Sequence, residues 1–300
     1  MKPARLPFAV VAAATVLGQR PGLGGPLSVP LQRRWLDLMA TGLPEPSGTV
    51  VRPVRLGERP ALRVTVGATE RRAAIVHLHG GAYTVGSPRT HRSLAAFLAA
   101  AAGMAVYLPD YRMGPEHHHP AGLDDAVAAF TDVARRHDSV ALSGDSAGGG
   151  LAVATARRLL DSGAGTPRSL ALISPWVDPL APATGKKRDL VVREGWGNSC
   201  AARYLGPGDP ADPGFAPAKG DLAGLPPTIV HFGKREVLYG QVAAFVGALR
   251  AAGVAVESRE FDRLWHVGHA QAGLLGEAYD AVSELGRFVR QARGAAAVGR

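Results

Sequence analysis

Ser139-Val140-Ala141-Leu142-Ser143-Gly144-Asp145-Ser146-Ala147-Gly148-Gly149-Gly150-Leu151 reads as a short apolar strand, a glycine-flanked turn and the start of a helix. Within it, Gly144-Asp145-Ser146-Ala147-Gly148 has the form G-x-S-x-G, the turn that lifts a serine hydroxyl above the end of a strand. The chain holds 38 glycines in 300 residues, so a chance match is a real risk and the context has to decide. Upstream, Ser139–Ser143 is strand-like. Downstream, Leu151, Val153, Ala154, Ala156, Leu159 and Leu160 recur at helical spacing. The turn between them is strained, and glycines two residues either side of Ser146 remove the Cβ atoms that would crowd it. The first helical amides point at the reaction centre, which makes Ala147 N–H a candidate oxyanion donor.

Working outward, strand candidates alternate with helical patterns from about Val50 onward. The strands are Ala61–Val66, Ala73–His79, Met104–Pro109, Ser139–Ser143, Leu170–Ser174, Thr228–Phe232 and Val254–Glu260. Helical stretches lie near His91–Ala102, Leu123–Arg136, Ala147–Leu160, Gln241–Ala252 and Gly276–Ala292. Alternation of this kind implies an α/β fold with a mostly parallel sheet and helices on both faces. Catalytic groups then belong on loops at the carboxyl ends of the strands. Two stretches break the rhythm. Residues 1–49 precede the first strand, and residues 175–220 are rich in Pro, Gly and charge. Neither reads as a separate domain. Both are expected to cover a pocket, over a core of 50–174 and 221–300, in one domain spanning 1–300.

Composition narrows the function classes. At 46% hydrophobic residues the chain can bury a large core. The formal charge of +9 comes almost wholly from scattered arginines, and no RNA- or DNA-binding motif appears, so nucleic acid is not the expected partner. Weak attraction to anionic surfaces follows from the charge. Cys200 is the only cysteine, which excludes an intramolecular disulfide and a Cys-based metal site. Leu6–Leu17 is an apolar run behind Lys2 and Arg5, but Gly18-Gln19-Arg20-Pro21 is a poor cleavage site and the run is too short to span a bilayer. A helix covering a pocket or resting on a membrane surface is the expectation. A cytoplasmic location goes with it, with membrane association or export as the alternatives.

A serine hydroxyl needs a base to take its proton, and the base needs an orienting carboxylate. In this architecture the chain order is Ser, acid, His. His231, His266 and His269 lie beyond Ser146. His231 falls inside a strand and His269 one turn into the next helix, whereas His266 follows the last strand in a loop and is preferred. Glu236 is the first carboxylate past Thr228–Phe232 and the preferred acid. Asp262 is the rival, on the same loop as the histidine. The strand ending Ile75-Val76-His77-Leu78 runs into His79-Gly80-Gly81-Ala82-Tyr83, whose glycines let backbone N–H groups approach a substrate. Gly80 and Gly81 are therefore expected to join Ala147 as oxyanion donors, with His79 bracing the loop. Tyr83 is a candidate substrate contact. Trp35, Leu36, Leu38, Met39, Trp176 and Trp196 are further candidates for an apolar lining. No metal is expected: His117-His118-His119 is Pro-flanked, cannot converge on one ion, and lacks a completing Cys or carboxylate.

The chain resembles the hormone-sensitive-lipase-like branch of the α/β-hydrolases, the fold-3 esterases. The resemblance runs over nearly the whole chain, through His79–Tyr83, Asp110-Tyr111-Arg112-Met113-Gly114-Pro115-Glu116-His117, Gly144–Gly149, Ser174-Pro175-Trp176-Val177-Asp178, Leu225-Pro226-Pro227 and Trp265-His266-Val267. It implies an α/β-hydrolase sheet under a helical lid and cofactor-free hydrolysis of carboxylic esters with short to medium acyl chains. It carries the nucleophile onto Ser146, the acid onto Glu236, the base onto His266, and the oxyanion donors onto Gly80, Gly81 and Ala147. It also implies a homodimer through Val254–Glu260. Three departures stand out: Ala82 in place of a third glycine, Glu236 where the family more often has Asp, and Tyr239-Gly240 in place of an acidic pair. Lactone opening with the same residues, and a non-catalytic small-molecule receptor on the same fold, are the rival functions.

Overall fold

The computed structural model describes residues 5–24, 26–182 and 189–294; the parts of the two expected pocket-covering segments at 1–4, 25 and 183–188 lie outside them. Eight strands form one sheet in the order β1-β2-β4-β3-β5-β6-β7-β8. They are β1 Thr49–Leu56, β2 Arg59–Val66, β3 Glu70–Leu78, β4 Met104–Pro109, β5 Ser139–Asp145, β6 Leu170–Ile173, β7 Thr228–Gly233 and β8 Val256–Phe261. β1, β2 and β4 pair antiparallel, and every pairing from β4 through β3 to β8 is parallel.

Parallel neighbours need long crossovers, and the helices supply them. The helices are α1 Phe8–Gln19, α2 Val29–Ala40, α3 Arg92–Ala102, α4 Ala121–Ala134, α5 Ala147–Ser162, α6 Glu194–Leu205, α7 Tyr239–Ala251 and α8 Gly276–Gly294. β4 shows how the sheet divides the core. Ala105 and Tyr107 face a cluster with Phe130, Leu151 and Phe245 from α4, α5 and α7. Met104, Val106 and Leu108 face another with Phe97, Leu285 and Phe288 from α3 and α8. A strand buried on both faces carries this alternation without any polar residue, which is why the β4 sequence is uniformly apolar.

Three elements were not anticipated. β1 carries Arg52, Pro53 and Arg55 and is half exposed. It lies at the sheet edge, where a missing N–H costs no ladder bond, so Pro53 is tolerated there. α2 and α6 lie inside the two arrhythmic stretches. α6 begins Glu194-Gly195-Trp196-Gly197, a poor helix former whose geometry comes from packing. α1 matches the expected Leu6–Leu17 helix. Its Phe8 ring meets Trp265 edge-on at 5.4 Å, tying the chain start to the loop after β8. Val10 and Leu17 on its outer side stay exposed. Among the described residues no helix is long and apolar enough to cross a membrane.

Candidate active site

Ser146 sits between β5 and α5 with φ +52° and ψ −122°, a conformation that side chains rarely adopt. The surroundings hold it there. Its N–H donates to Ile173 O at 2.9 Å, and its carbonyl accepts from Trp176 N–H at 2.8 Å. Gly148 lets the helix start press against the end of β3, because a Cβ there would fall 2.0 Å from Leu78 O. Strain over-determined by neighbours in this way is a mark of a functional residue.

His266, in the loop after β8, places Nε2 2.9 Å from Ser146 Oγ. Its Nδ1 lies 2.8 Å from Glu236 Oε2, and Glu236 Oε1 accepts the Gly233 N–H at 2.8 Å. Glu236 is fully buried. Burial pulls the His266 pKa down, but the Glu236 hydrogen bond and charge, with Asp189 and Asp145 further off, outweigh it and hold the pKa above 6.5. The rival residues are elsewhere. Asp262 is 79% exposed and pairs with Lys234 at 2.8 Å. His231 and His269 are buried against each other, Nδ1 to Nε2 at 3.2 Å. His118 Nδ1 contacts Arg203 O and His119 Nε2 contacts Asp212, so the histidine run splays rather than converges.

The His79–Tyr83 loop corrects two expectations. Gly80 N–H donates to Asp145 Oδ1 at 3.0 Å, so it is committed and is not available as an oxyanion donor. The next two N–H groups, of Gly81 and Ala82, have no acceptor among the described residues, and both residues line the cavity above Ser146. Ala147 N–H, at the first turn of α5, also lacks an intrahelical partner, as first-turn amides do. Tyr83 does not reach the cavity. Its φ is +58°, and its ring turns into the core to stack on Tyr204 at 4.5 Å between ring centres.

The cavity measures about 290 Å³ and opens onto Ser146 and His266. Of the anticipated apolar lining, Leu36, Met39, Trp176 and Trp196 contribute, together with Val11 and Leu274. Trp35 instead donates its indole N–H to Gly18 O at 2.6 Å. Arg33 of α2 grips the core. It donates to Thr84 O and Gly114 O, each at 2.8 Å, and pairs bidentately with Glu116.

Two sets of residues went unnoticed in the sequence. Asp189 is buried and accepts Val191 N–H at 2.8 Å and Val237 N–H at 3.2 Å, bracing the turn that carries Glu236. Its setting among Lys187, Arg188 and Leu190 reads as surface, and nothing local marks it. Asp145 gathers His77 and His91. His77 comes from β3 and His91 from the N-cap of α3, and nothing in the spacing of the three residues marks them as partners.

Comparison with known proteins gives a consistent picture. The family model described as alpha/beta hydrolase fold matches residues 75–270. An acetyl-hydrolase of Streptomyces hygroscopicus is 38% identical over 255 residues, covering 80% of this chain and 85% of the relative. An esterase of Acinetobacter venetianus is 30% identical, covering 84% and 86%. The crystal structure of an esterase from the bacterial hormone-sensitive lipase family superposes with a TM-score of 0.89 at 32% identity, over 96% of this chain and 99% of the other. With the sheet order and the strand–serine–helix turn already in place, these matches show that the chain belongs to the α/β-hydrolase fold-3 family, the hormone-sensitive-lipase-like carboxylic ester hydrolases.

Proposed function

We propose that this chain cleaves carboxylic esters of short to medium acyl chain through an acyl-enzyme on Ser146. The unbroken hydrogen-bonded chain from Ser146 Oγ through His266 to buried Glu236 carries the reading. His266 Nε2 takes the hydroxyl proton as Ser146 Oγ attacks the carbonyl carbon. The resulting oxyanion is held by the N–H groups of Gly81, Ala82 and Ala147, Gly80 being engaged by Asp145. His266 then hands its proton to the departing alkoxide. Water enters and gives a proton to His266 as its oxygen attacks the acyl carbon; His266 then returns that proton to Ser146 Oγ as the carbon–Oγ bond breaks and the acid leaves. Glu236 keeps Nδ1 protonated and steadies the imidazolium.

A cavity of about 290 Å³ lies at the small end of ligand pockets, which suits a compact acyl group. The described residues of 1–49 and 175–220 serve as its cover, with α1, α2 and α6 supplying wall residues. The test is hydrolysis of p-nitrophenyl esters of two to twelve carbons, with a small lactone panel, by wild type and Ser146→Ala. Turnover by wild type alone, falling off at the longer chains, is expected. Turnover by folded Ser146→Ala overturns the nucleophile. A preference for lactones moves the substrate class without changing the residues, and inert but folded wild type favours the receptor.

A further inference from the structure

Asp145, the residue before the nucleophile, is 2% exposed, and a buried carboxylate persists only where its oxygens are well bonded. It has three partners. Gly80 N–H reaches Oδ1 at 3.0 Å, and His77 Nε2 reaches Oδ1 at 3.2 Å. His91 Nε2 lies 3.2 Å from Oδ1 and 3.3 Å from Oδ2. The Gly80 backbone is pressed so close to this carboxylate that a Cβ there would fall 2.2 Å from Oδ2.

We infer that His91 is a positioning residue of the ester-cleaving site, acting through Asp145 to hold the Gly80 peptide and so aim the N–H groups of Gly81 and Ala82 at Ser146. The inference rests on the ester-hydrolase reading above. The two histidines divide the task. His77 is wholly enclosed; burial drives its pKa down, and its Nδ1 faces the Ser143 hydroxyl at 3.0 Å, an arrangement suited to a neutral ring. His91 borders the cavity, and its Nδ1 faces Thr90 Oγ1 at 2.8 Å and Ser87 O at 3.4 Å. Burial opposes its charge, but Asp145 outweighs burial, so its pKa rises. Asp145 in turn is held well below the usual carboxylate range: burial raises it, and the His91 charge and the two histidine hydrogen bonds more than reverse that. His79, 5.5 Å from His91 between ring centres, is driven down to about 3 by burial and stays neutral against Tyr111. Of the three rings, His91 is therefore the one for which the pull of the Asp145 carboxylate exceeds the cost of burial.

Two readouts test this, one of them independent of turnover. His91→Phe removes the donor and keeps a ring, His91→Gln keeps an N–H that can reach Asp145, and His91→Ala replaces the Phe variant if that does not fold. The expected result is a fall in kcat of about 10- to 100-fold on p-nitrophenyl acetate with KM within about twofold, the range that misaimed donors produce. His91→Gln is expected to recover to within about threefold of wild type. Amide exchange across residues 79–86 is expected to quicken in His91→Phe and not in His91→Gln. A folded His91→Phe with wild-type kcat overturns the proposal and leaves the ester-hydrolase reading standing. If wild type itself is inert on esters, that reading fails, and unchanged exchange over 79–86 then overturns the positioning role on its own.

Discussion

Glu236 Oε2 lies 2.8 Å from His266 Nδ1, although α7 and β8 separate the two residues along the chain. They meet because β7 and β8 are parallel neighbours, paired from Thr228–Val256 to Gly233–Phe261, so both following loops leave at the same edge of the sheet. The contact is wholly enclosed, and the second carboxylate oxygen is occupied by the Gly233 N–H.

Glu236→Gln preserves this shape and removes the charge. Loss of the orienting carboxylate in a serine triad costs about 10⁴ in kcat, so a fall of about 10³- to 10⁴-fold is expected here. Asp262→Asn, at the exposed Lys234 pair, should leave kcat/KM within about twofold. Steady-state kinetics of the two variants side by side checks both. Equal losses would remove Glu236 from the acid role.

The pH profile follows from the base. His266 works as a neutral imidazole, and its pKa is raised above 6.5 despite burial, because Glu236 favours the charged form. A raised pKa means the base is protonated, and idle, to a higher pH. The acid limb of kcat/KM should therefore have its midpoint above 6.5, and the residual activity of Glu236→Gln should show that midpoint moved downward. A midpoint that does not move between the two proteins would contradict the cause given for the shift.

Tyr83 separates a packing role from a substrate role. Its ring stacks on Tyr204 within 4° of parallel and lies 6.3 Å from both Trp176 and Phe215. Tyr83→Phe should keep kcat/KM within about threefold and stability within about 1 kcal/mol. Tyr83→Ala should lose about 3–5 kcal/mol in urea denaturation, the usual cost of emptying an aromatic site. A large change in KM with Tyr83→Phe would place the side chain at the substrate after all.

Arg33 fastens the pocket-covering helix α2 to the core through two carbonyls and Glu116. Arg33→Ala should loosen the wall carrying Leu36 and Met39. We expect KM for octanoyl esters to rise by about 3- to 10-fold while kcat on acetyl esters stays within about twofold, the pattern of lost uniform binding. Arg33→Lys should not restore it, since an ammonium cannot span the same acceptors. Equal effects on both chain lengths would argue against α2 as an acyl wall.

His269 makes an acid-sensitivity test. Burial lowers its pKa from 6.5 to about 3, so the folded state keeps it neutral where the unfolded chain binds a proton. The sign follows: this contribution leaves stability unchanged above 6.5, erodes it as pH falls from 6.5, and levels off near 3. The slope is about 1.4 kcal/mol per pH unit within that window. Urea denaturation at pH 7.5 and pH 5.0 should show a smaller acid loss in His269→Gln than in wild type. Identical losses would show that the histidine is not held neutral.

Much of the molecule is legible in order and period alone. Seven of the strands, the helix behind Ser146 and the loop positions of His266 and Glu236 follow from apolar runs, helical spacing and the sequence of nucleophile, acid and base. β1 escaped because an edge strand with Arg52, Pro53 and Arg55 lacks the apolar continuity of a central one. α6 escaped because its glycines mask a helix that packing imposes.

The donor loop draws the line most clearly. That His79-Gly80-Gly81-Ala82 offers N–H groups at the end of β3 is a property of glycine and strand order, and the sequence determined it. Which of those groups are free was decided by Asp145, 65 residues further along, whose carboxylate takes the Gly80 N–H. Tyr83 turns away for a similar reason, its ring drawn into a stack with Tyr204 from α6. Propensity and periodicity act within a turn or two of chain. The competition between an acceptor and a substrate for one amide is settled only when distant segments are brought within 3 Å, and that belongs to the tertiary structure.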